Sequence, residues 1–171
     1  MREDLHIAIV GATGAMGVEM LKTLERRNFP AGQLTPLASA RSSGKTLPFR
    51  GEDLNVQELT RDSFAGVDIA LFSAGGGISA EFAPAAVEAG AVVVDNSSAF
   101  RMDNSVPLVV PEINAAAVAK NNGIIANPNC STIIALMAVA PIQRAVGIQC
   151  MSVATYQAVS GAGAPVPLWN R

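Results

Sequence analysis

The first thirty residues constrain the fold more tightly than any other stretch. Leu5 to Val10 is a short apolar run, broken only by His6, that opens into Gly11-Ala12-Thr13-Gly14-Ala15-Met16-Gly17. A helical spacing of apolar residues follows at Val18, Met20, Leu21 and Leu24 and ends near Asn28-Phe29-Pro30. Strand, glycine turn, helix is the context in which glycines permit a tight turn, a close approach of backbone to pyrophosphate, and close helix–strand packing. The spacing is G-x-x-G-x-x-G, a variant of G-x-G-x-x-G. Outside this context it would be an ordinary glycine-rich turn. His6, inside the strand, is expected to face a neighbouring strand or solvent.

The same alternation continues. A second strand, Leu34 to Ser39, ends in Ser39-Ala40-Arg41-Ser42-Ser43-Gly44-Lys45. No acidic residue stands here to hold a ribose 2′-hydroxyl. Two cations and three hydroxyls suit a 2′-phosphate instead, which predicts NADP. Leu54 to Leu59 alternates as a strand does, and Val67 to Phe72 is a continuous apolar run ending at Ser73-Ala74-Gly75-Gly76-Gly77. That second glycine cluster lets backbone approach a ligand on the same edge. Ser79 to Ala89 reads as a helix that Pro84 should kink or delay. Ala91 to Val94 is a buried strand opening into Asp95-Asn96-Ser97-Ser98-Ala99-Phe100-Arg101. Val106 to Val110 reads as extended and Asn114 to Lys120 as helical. Strands alternating with helices predict an α/β fold with a doubly wound, Rossmann-like, mostly parallel sheet.

Gly123 to Ala126 reads as one more short strand, and Asn127-Pro128 as a turn, because proline disfavours the α region for the residue before it. The apolar run from Ile133 to Ala140 is long enough for a helix, with Pro141 a kink. Cys130, within Asn127-Pro128-Asn129-Cys130-Ser131-Thr132, therefore falls at a strand-to-helix corner. Unpaired amides and the positive end of the helix dipole stabilise an anion there and raise the thiolate fraction. A small buried cysteine is the ordinary alternative. After the helix, Gly147-Ile148 starts a long extended segment running through Met151 to Val159, then Ser160-Gly161-Ala162-Gly163.

Composition narrows the classes. Half of the 171 residues are apolar and 15% are charged, so a substantial core is expected and long disorder is not. A net charge of −2 gives no basic footprint for nucleic acid and no polybasic membrane patch. No apolar run approaches a membrane span, and Arg2-Glu3-Asp4 does not begin a signal peptide. Two cysteines, Cys130 and Cys150, and one histidine make a disulfide framework or a structural zinc site poor expectations, and suit a cytoplasmic protein.

Six ordered blocks together resemble the aspartate-semialdehyde dehydrogenase family. They are the Gly11–Gly17 turn, Ser39-Ala40-Arg41-Ser42, Asp95 to Arg101, Val109-Val110-Pro111-Glu112-Ile113-Asn114, Asn127 to Thr132, and Thr155-Tyr156-Gln157-Ala158-Val159-Ser160-Gly161-Ala162-Gly163. The resemblance implies an NADPH-dependent oxidoreductase that converts L-aspartyl 4-phosphate to the semialdehyde through a cysteine thioester. This step serves biosynthesis of lysine, threonine, methionine and diaminopimelate, and family members are homodimers or larger. Residue by residue, Cys130 matches the nucleophile and Gln157 the residue that orients substrate beside it. Arg101 and Asn129 match residues around the substrate phosphate. Gly11, Ala12, Thr13, Gly14, Ala15, Met16, Gly17, Ser39, Arg41 and Ser42 match NADP contacts, to which Ser73, Ala74, Gly75, Ser160 and Gly161 are added. Taken singly, Arg101 would read as a surface ion pair and Gln157 as an ordinary hydrogen-bonding strand residue.

The pattern is incomplete. The resemblance implies chains roughly twice this length, with a second α+β catalytic and dimerisation domain that supplies a general-base histidine and an arginine for the substrate carboxylate. Residues 1–146 are thus expected to form the NADP-binding domain, and residues 147–171 the first strand of the second domain followed by an atypical tail, Ala164 to Arg171. The alternatives are another acyl-phosphate reductase, such as the N-acetyl-γ-glutamyl-phosphate type, and a non-catalytic NADP-binding or regulatory fragment.

Overall fold

The computed structural model describes residues 4–157. Strand β1 (Leu5–Val10) runs through the glycine turn into helix α1 (Ala15–Arg26), then β2 (Ala31–Ala38) and a short 3₁₀ turn at Ala40–Ser42, the first of three 3₁₀ segments among the described residues. A hairpin of β3 (Thr46–Phe49) and β4 (Glu52–Asn55) precedes the two-residue β5 (Gln57–Glu58). Next come β6 (Ile69–Phe72), α2 (Gly76–Glu88), β7 (Val92–Asp95), α3 (Pro111–Asn114), β8 (Ile124–Ala126) and α4 (Cys130–Val146).

Six strands form one sheet in the order β5-β2-β1-β6-β7-β8, and every pairing in it is parallel. The doubly wound expectation is met. The chain leaves β1 for β2 on one side and returns to β6 on the other, which opens a crevice above the carboxyl ends of β1 and β6. Alternation along the strands assigns the two faces. Ala8 and Val10 of β1, with Ala70 and Phe72 of β6, pack towards α2 in a core with Phe64, Ala83 and Ala86. Ile7 and Ile9 point the other way, into a cluster with Leu21 of α1 and Phe49 of the hairpin.

The hairpin was not visible in the sequence pattern. Its turn residues Arg50 and Gly51 both have positive φ, 52° and 80°, the combination that suits the right-handed twist of a tight hairpin. Arg50 then locks the turn against the body. Its guanidinium donates to the carbonyls of Ala31 (3.0 Å) and Phe29, and its amide donates to the Glu25 carboxylate at 3.0 Å.

Three expectations are corrected. Leu54 to Leu59 is not one strand: Val56 is buried and bonds Lys45 and Gly44, so the ladder changes partner there, from the hairpin to β2. The helix expected from Ser79 starts at Gly76 and continues through Pro84, whose ring faces solvent where the freed carbonyl of Ala80 can meet water. Residues 148–157 form neither strand nor helix, although an extended strand was expected from Gly147. Strand propensity needs a free neighbouring edge, and among the described residues this segment pairs with none. No helix in the described residues is long and apolar enough to cross a membrane.

Candidate nucleotide cavity and nucleophile corner

The glycine turn is built by close contact. Gly11 has φ +86°, and a side chain there would meet the Ser73 carbonyl oxygen at 2.8 Å. A Cβ on Gly17, in the first turn of α1, would stand 2.3 Å from the Gly11 carbonyl oxygen. The turn is held from behind by the Leu37 carbonyl, which accepts from the amides of Gly11 (2.9 Å) and Ala12 (3.1 Å). Gly14 is the N-cap of α1 and Gly75, at φ +92°, the N-cap of α2; neither helix start carries a side-chain cap. Two sets of first-turn amides are thus left for an external acceptor.

Both helix starts border one cavity of about 860 Å³ above the carboxyl ends of the strands. Of the residues expected at the cofactor, Gly11, Thr13, Gly14, Ala15, Met16, Ser39, Ser73, Ala74 and Gly75 line it. Ala12 and Gly17 are buried and support the turn without lining the cavity. Arg41 and Ser42 lie in the 3₁₀ turn beside Ser39 and Ala40 and do not line it; Arg41 is exposed at its rim. Ser160 and Gly161 lie outside the described residues, as does the tail.

The far end of the cavity is made by Asn96, Ser97, Ser98, Arg101 and Asn129. Arg101 is half-buried. Its Nε donates to the Asn127 carbonyl at 2.9 Å and its Nη2 to the Asn96 carbonyl at 3.0 Å. Asn127 also donates from its side-chain amide to Asn96 Oδ1 at 2.6 Å. The loop after β7 and the corner after β8 are therefore stitched together. No carboxylate pairs with Arg101 among the described residues, so the surface ion pair that would be its ordinary role is absent, and guanidinium donors remain for an anion. Just beyond, Asp103 accepts from the hydroxyl (2.7 Å) and amide (2.8 Å) of Ser105, which holds its carboxyl below the usual range.

Sequence reasoning gave Asp95 no role of its own. Its carboxylate is fully buried and satisfied three times, by the hydroxyls of Ser79 and Ser97 (2.7 Å each) and the Ser97 amide (3.0 Å). A buried carboxylate is tolerated only with such partners, and here they join α2 to the cavity loop. The signal available was an acidic residue ending an otherwise apolar strand and followed by serines.

Cys130 is the first residue of α4, as expected, and is exposed rather than buried. Asn129 caps the helix, its Oδ1 accepting from the Ser131 amide at 3.0 Å. Gln157 reaches the same corner: its Nε2 donates to Ser131 Oγ at 2.5 Å and to Asn129 Oδ1 at 3.3 Å. Cys130 does not line the cavity, but its neighbour Asn129 does. His6 stays at the opposite end of the sheet, where its ring bonds Thr35 Oγ1 of β2 (2.8 Å) and the carbonyl of Gly66 in the turn before β6 (3.1 Å). No group of three potential metal ligands occurs among the described residues.

Known proteins share this arrangement. Residues 6–121 match the family described as semialdehyde dehydrogenase, NAD binding domain. The aspartate-semialdehyde dehydrogenase of Bacillus subtilis is 59% identical over 163 residues, covering 95% of this chain and 47% of the relative. The crystal structure of aspartate semialdehyde dehydrogenase II from Vibrio cholerae superposes with a TM-score of 0.90 at 55% identity, over 94% of this chain and 48% of that one. The Candida albicans aspartate semialdehyde dehydrogenase solved with NADP gives 0.68 at 26% identity, over 84% and 48%. This chain spans about half the length of the relatives it matches. The glycine turn, the cavity and the cysteine corner all lie in the part shared with these relatives, and through its NAD-binding domain the chain belongs to the semialdehyde dehydrogenase family.

Proposed function

We propose that this chain carries the NADP site and the nucleophile of an enzyme that reductively dephosphorylates L-aspartyl 4-phosphate to the semialdehyde. The observation that carries the reading is the abutment of two sites: Asn129 closes the nucleotide cavity, and Cys130 follows it at the start of α4. The cavity fits a dinucleotide because two uncapped helix starts face it, supplying amides for a pyrophosphate. Ser39 lines the outer end and Arg41 stands at its rim, which suits a 2′-phosphate. When bound, the nicotinamide supplies the hydride.

The chain's own residues account for the acyl transfer. The Cys130 thiolate attacks the acyl carbon, the carbon–oxygen bond to phosphate breaks, and inorganic phosphate leaves as the thioester forms. Cys130 is exposed at the first position of α4, where an acyl group can reach its Sγ. The donors left on Arg101 attract the phosphate dianion, while Gln157 and Ser131 border the same corner. Two free cysteines accord with a reducing, cytoplasmic compartment.

No histidine stands near Cys130 among the described residues to give general acid–base help at the thiohemiacetal stage, since the single histidine is His6, bonded at the far end of the sheet. We assign that base, the carboxylate-holding arginine and the dimer contacts to a second domain of the kind that the longer relatives have room for. It would also cover α4, where Ile134 is 73% and Val146 80% exposed. The test is steady-state NADPH formation from semialdehyde, phosphate and NADP⁺ by the purified chain. A rate on the order of 10²–10⁴-fold below that of a full-length relative is expected. A rate within tenfold would refute the division of labour, and failure to bind NADPH at all would refute the cofactor reading.

A further inference from the structure

The loop after β2 carries no acidic residue, yet the cavity has one at that end. Glu58 closes β5, pairs in register with Ala38 at the end of β2, and lines the cavity beside Ser39, Ala40 and Leu59. Its backbone is fixed from both sides. The Leu59 amide donates to the Ala38 carbonyl at 2.8 Å, and the Glu58 carbonyl accepts from Ser63 Oγ at 3.2 Å. Ser63 is itself held in a reciprocal capping pair with Thr60. The carboxylate, by contrast, makes no hydrogen bond or ion pair among the described residues, not even with nearby Arg41. An acceptor with a rigid base and a free head is thus presented at the outer end of the cavity.

We propose that Glu58 selects the base of the nucleotide, accepting a hydrogen bond from the exocyclic amine of adenine; this rests on the cofactor reading above. The position argues against the sugar. A carboxylate that holds a ribose 2′-hydroxyl stands at the end of β2, whereas Glu58 stands one strand further out, about 4.8 Å away. With the pyrophosphate at the start of α1 and the ribose above the end of β2, the next group outward over β5 is the base. The chemistry agrees. Adenine presents one strong donor, its 6-amino group, and a carboxylate accepts from such an amine. Half-buried Leu59 offers apolar surface beside it. A negative charge would repel a 2′-phosphate placed next to it, so Arg41 and Glu58 divide the end of the cavity between phosphate and base.

The experiment measures binding of NADPH, NADH and deamino-NADPH, in which a carbonyl replaces the 6-amino group, to the 171-residue chain and its Glu58→Ala and Glu58→Gln variants. Calorimetry gives the dissociation constants. The unmodified chain should bind NADPH about tenfold more tightly than deamino-NADPH, the effect of one charge-assisted hydrogen bond at an accessible site. Glu58→Ala should erase that preference and leave the NADPH-to-NADH ratio within twofold, while Glu58→Gln, which keeps an acceptor, should retain part of it. Equal binding of the two bases by the unmodified chain overturns the assignment. So does a Glu58→Ala variant that keeps its base preference but changes the NADPH-to-NADH ratio, since that would place the carboxylate on the sugar. Failure of all three nucleotides to bind the unmodified chain overturns the cofactor reading along with it.

Discussion

The two ends of the cavity are built to different standards of completeness. Around the glycine turn the packing is close: β1 is buried from Ile7 to Val10, Ala12 is fully enclosed, and the turn closes on Leu37 and Ser73. At the Cys130 corner the cap and the loop stitching are present, but α4 has no buried residue along its whole length. Its sequence is nevertheless as apolar as a core helix, with Ile134, Met137, Ile142 and Val146 exposed. A binding site can be finished by one domain because its ligand is small and its contacts are local. The apolar side of α4, by contrast, finds too little among the described residues to bury any of its side chains.

That contrast can be broken or sharpened by substitution. The largest effect is expected at Gly17→Ala, where the new Cβ would sit 2.3 Å from one backbone oxygen and 2.6 Å from the Ala12 Cα. Neither atom can yield without moving the turn, so a loss of about 3 kcal/mol or more is expected in urea unfolding. A loss below about 1 kcal/mol would mean that the turn is not the tightly closed unit described. A smaller, selective effect should follow Arg41→Ala at the rim. Folding should be unaffected, while a preference for NADPH over NADH falls by roughly ten- to hundredfold, the worth of one charge-assisted contact to a 2′-phosphate. An unchanged ratio of dissociation constants would remove Arg41 from the 2′-phosphate site. The smallest effect belongs to the open end: Ile134→Gln on α4 should change unfolding free energy by no more than about 0.5 kcal/mol. A large destabilisation there would show that α4 is already covered, and the contrast between the two ends would fail.

The readable parts of the chain were those governed by near neighbours. The turn from Gly11 to Gly17 is specified within seven residues, because the tight turn, the close approach and the helix start all act over that span. The corner at Cys130 was legible for the same reason, since Pro128 and the Asn129 cap act on adjacent residues. The hairpin escaped because its strands are four residues each and the turn relies on Arg50 at positive φ, which a reader looking for Asn-Gly or Asp-Gly does not expect. The predicted strand after Gly147 failed for the opposite reason: its residues favour extension, but extension becomes a strand only with a partner.

By itself, then, the order of residues determined the strand–turn–helix alternation, the fold class, the glycine cradle and the placing of Cys130 at a helix start. These depend on local sterics and on hydrophobic period, both written along the chain. Only the tertiary structure decided that Glu58 stands beside the end of β2, that buried Asp95 ties α2 to the cavity loop, and that Arg101 joins the Asn96 and Asn127 corners. Each of those depends on which strands lie side by side. Ala38 and Glu58 are separated by a whole hairpin in sequence yet adjoin in the sheet, and no local preference of either residue encodes that adjacency.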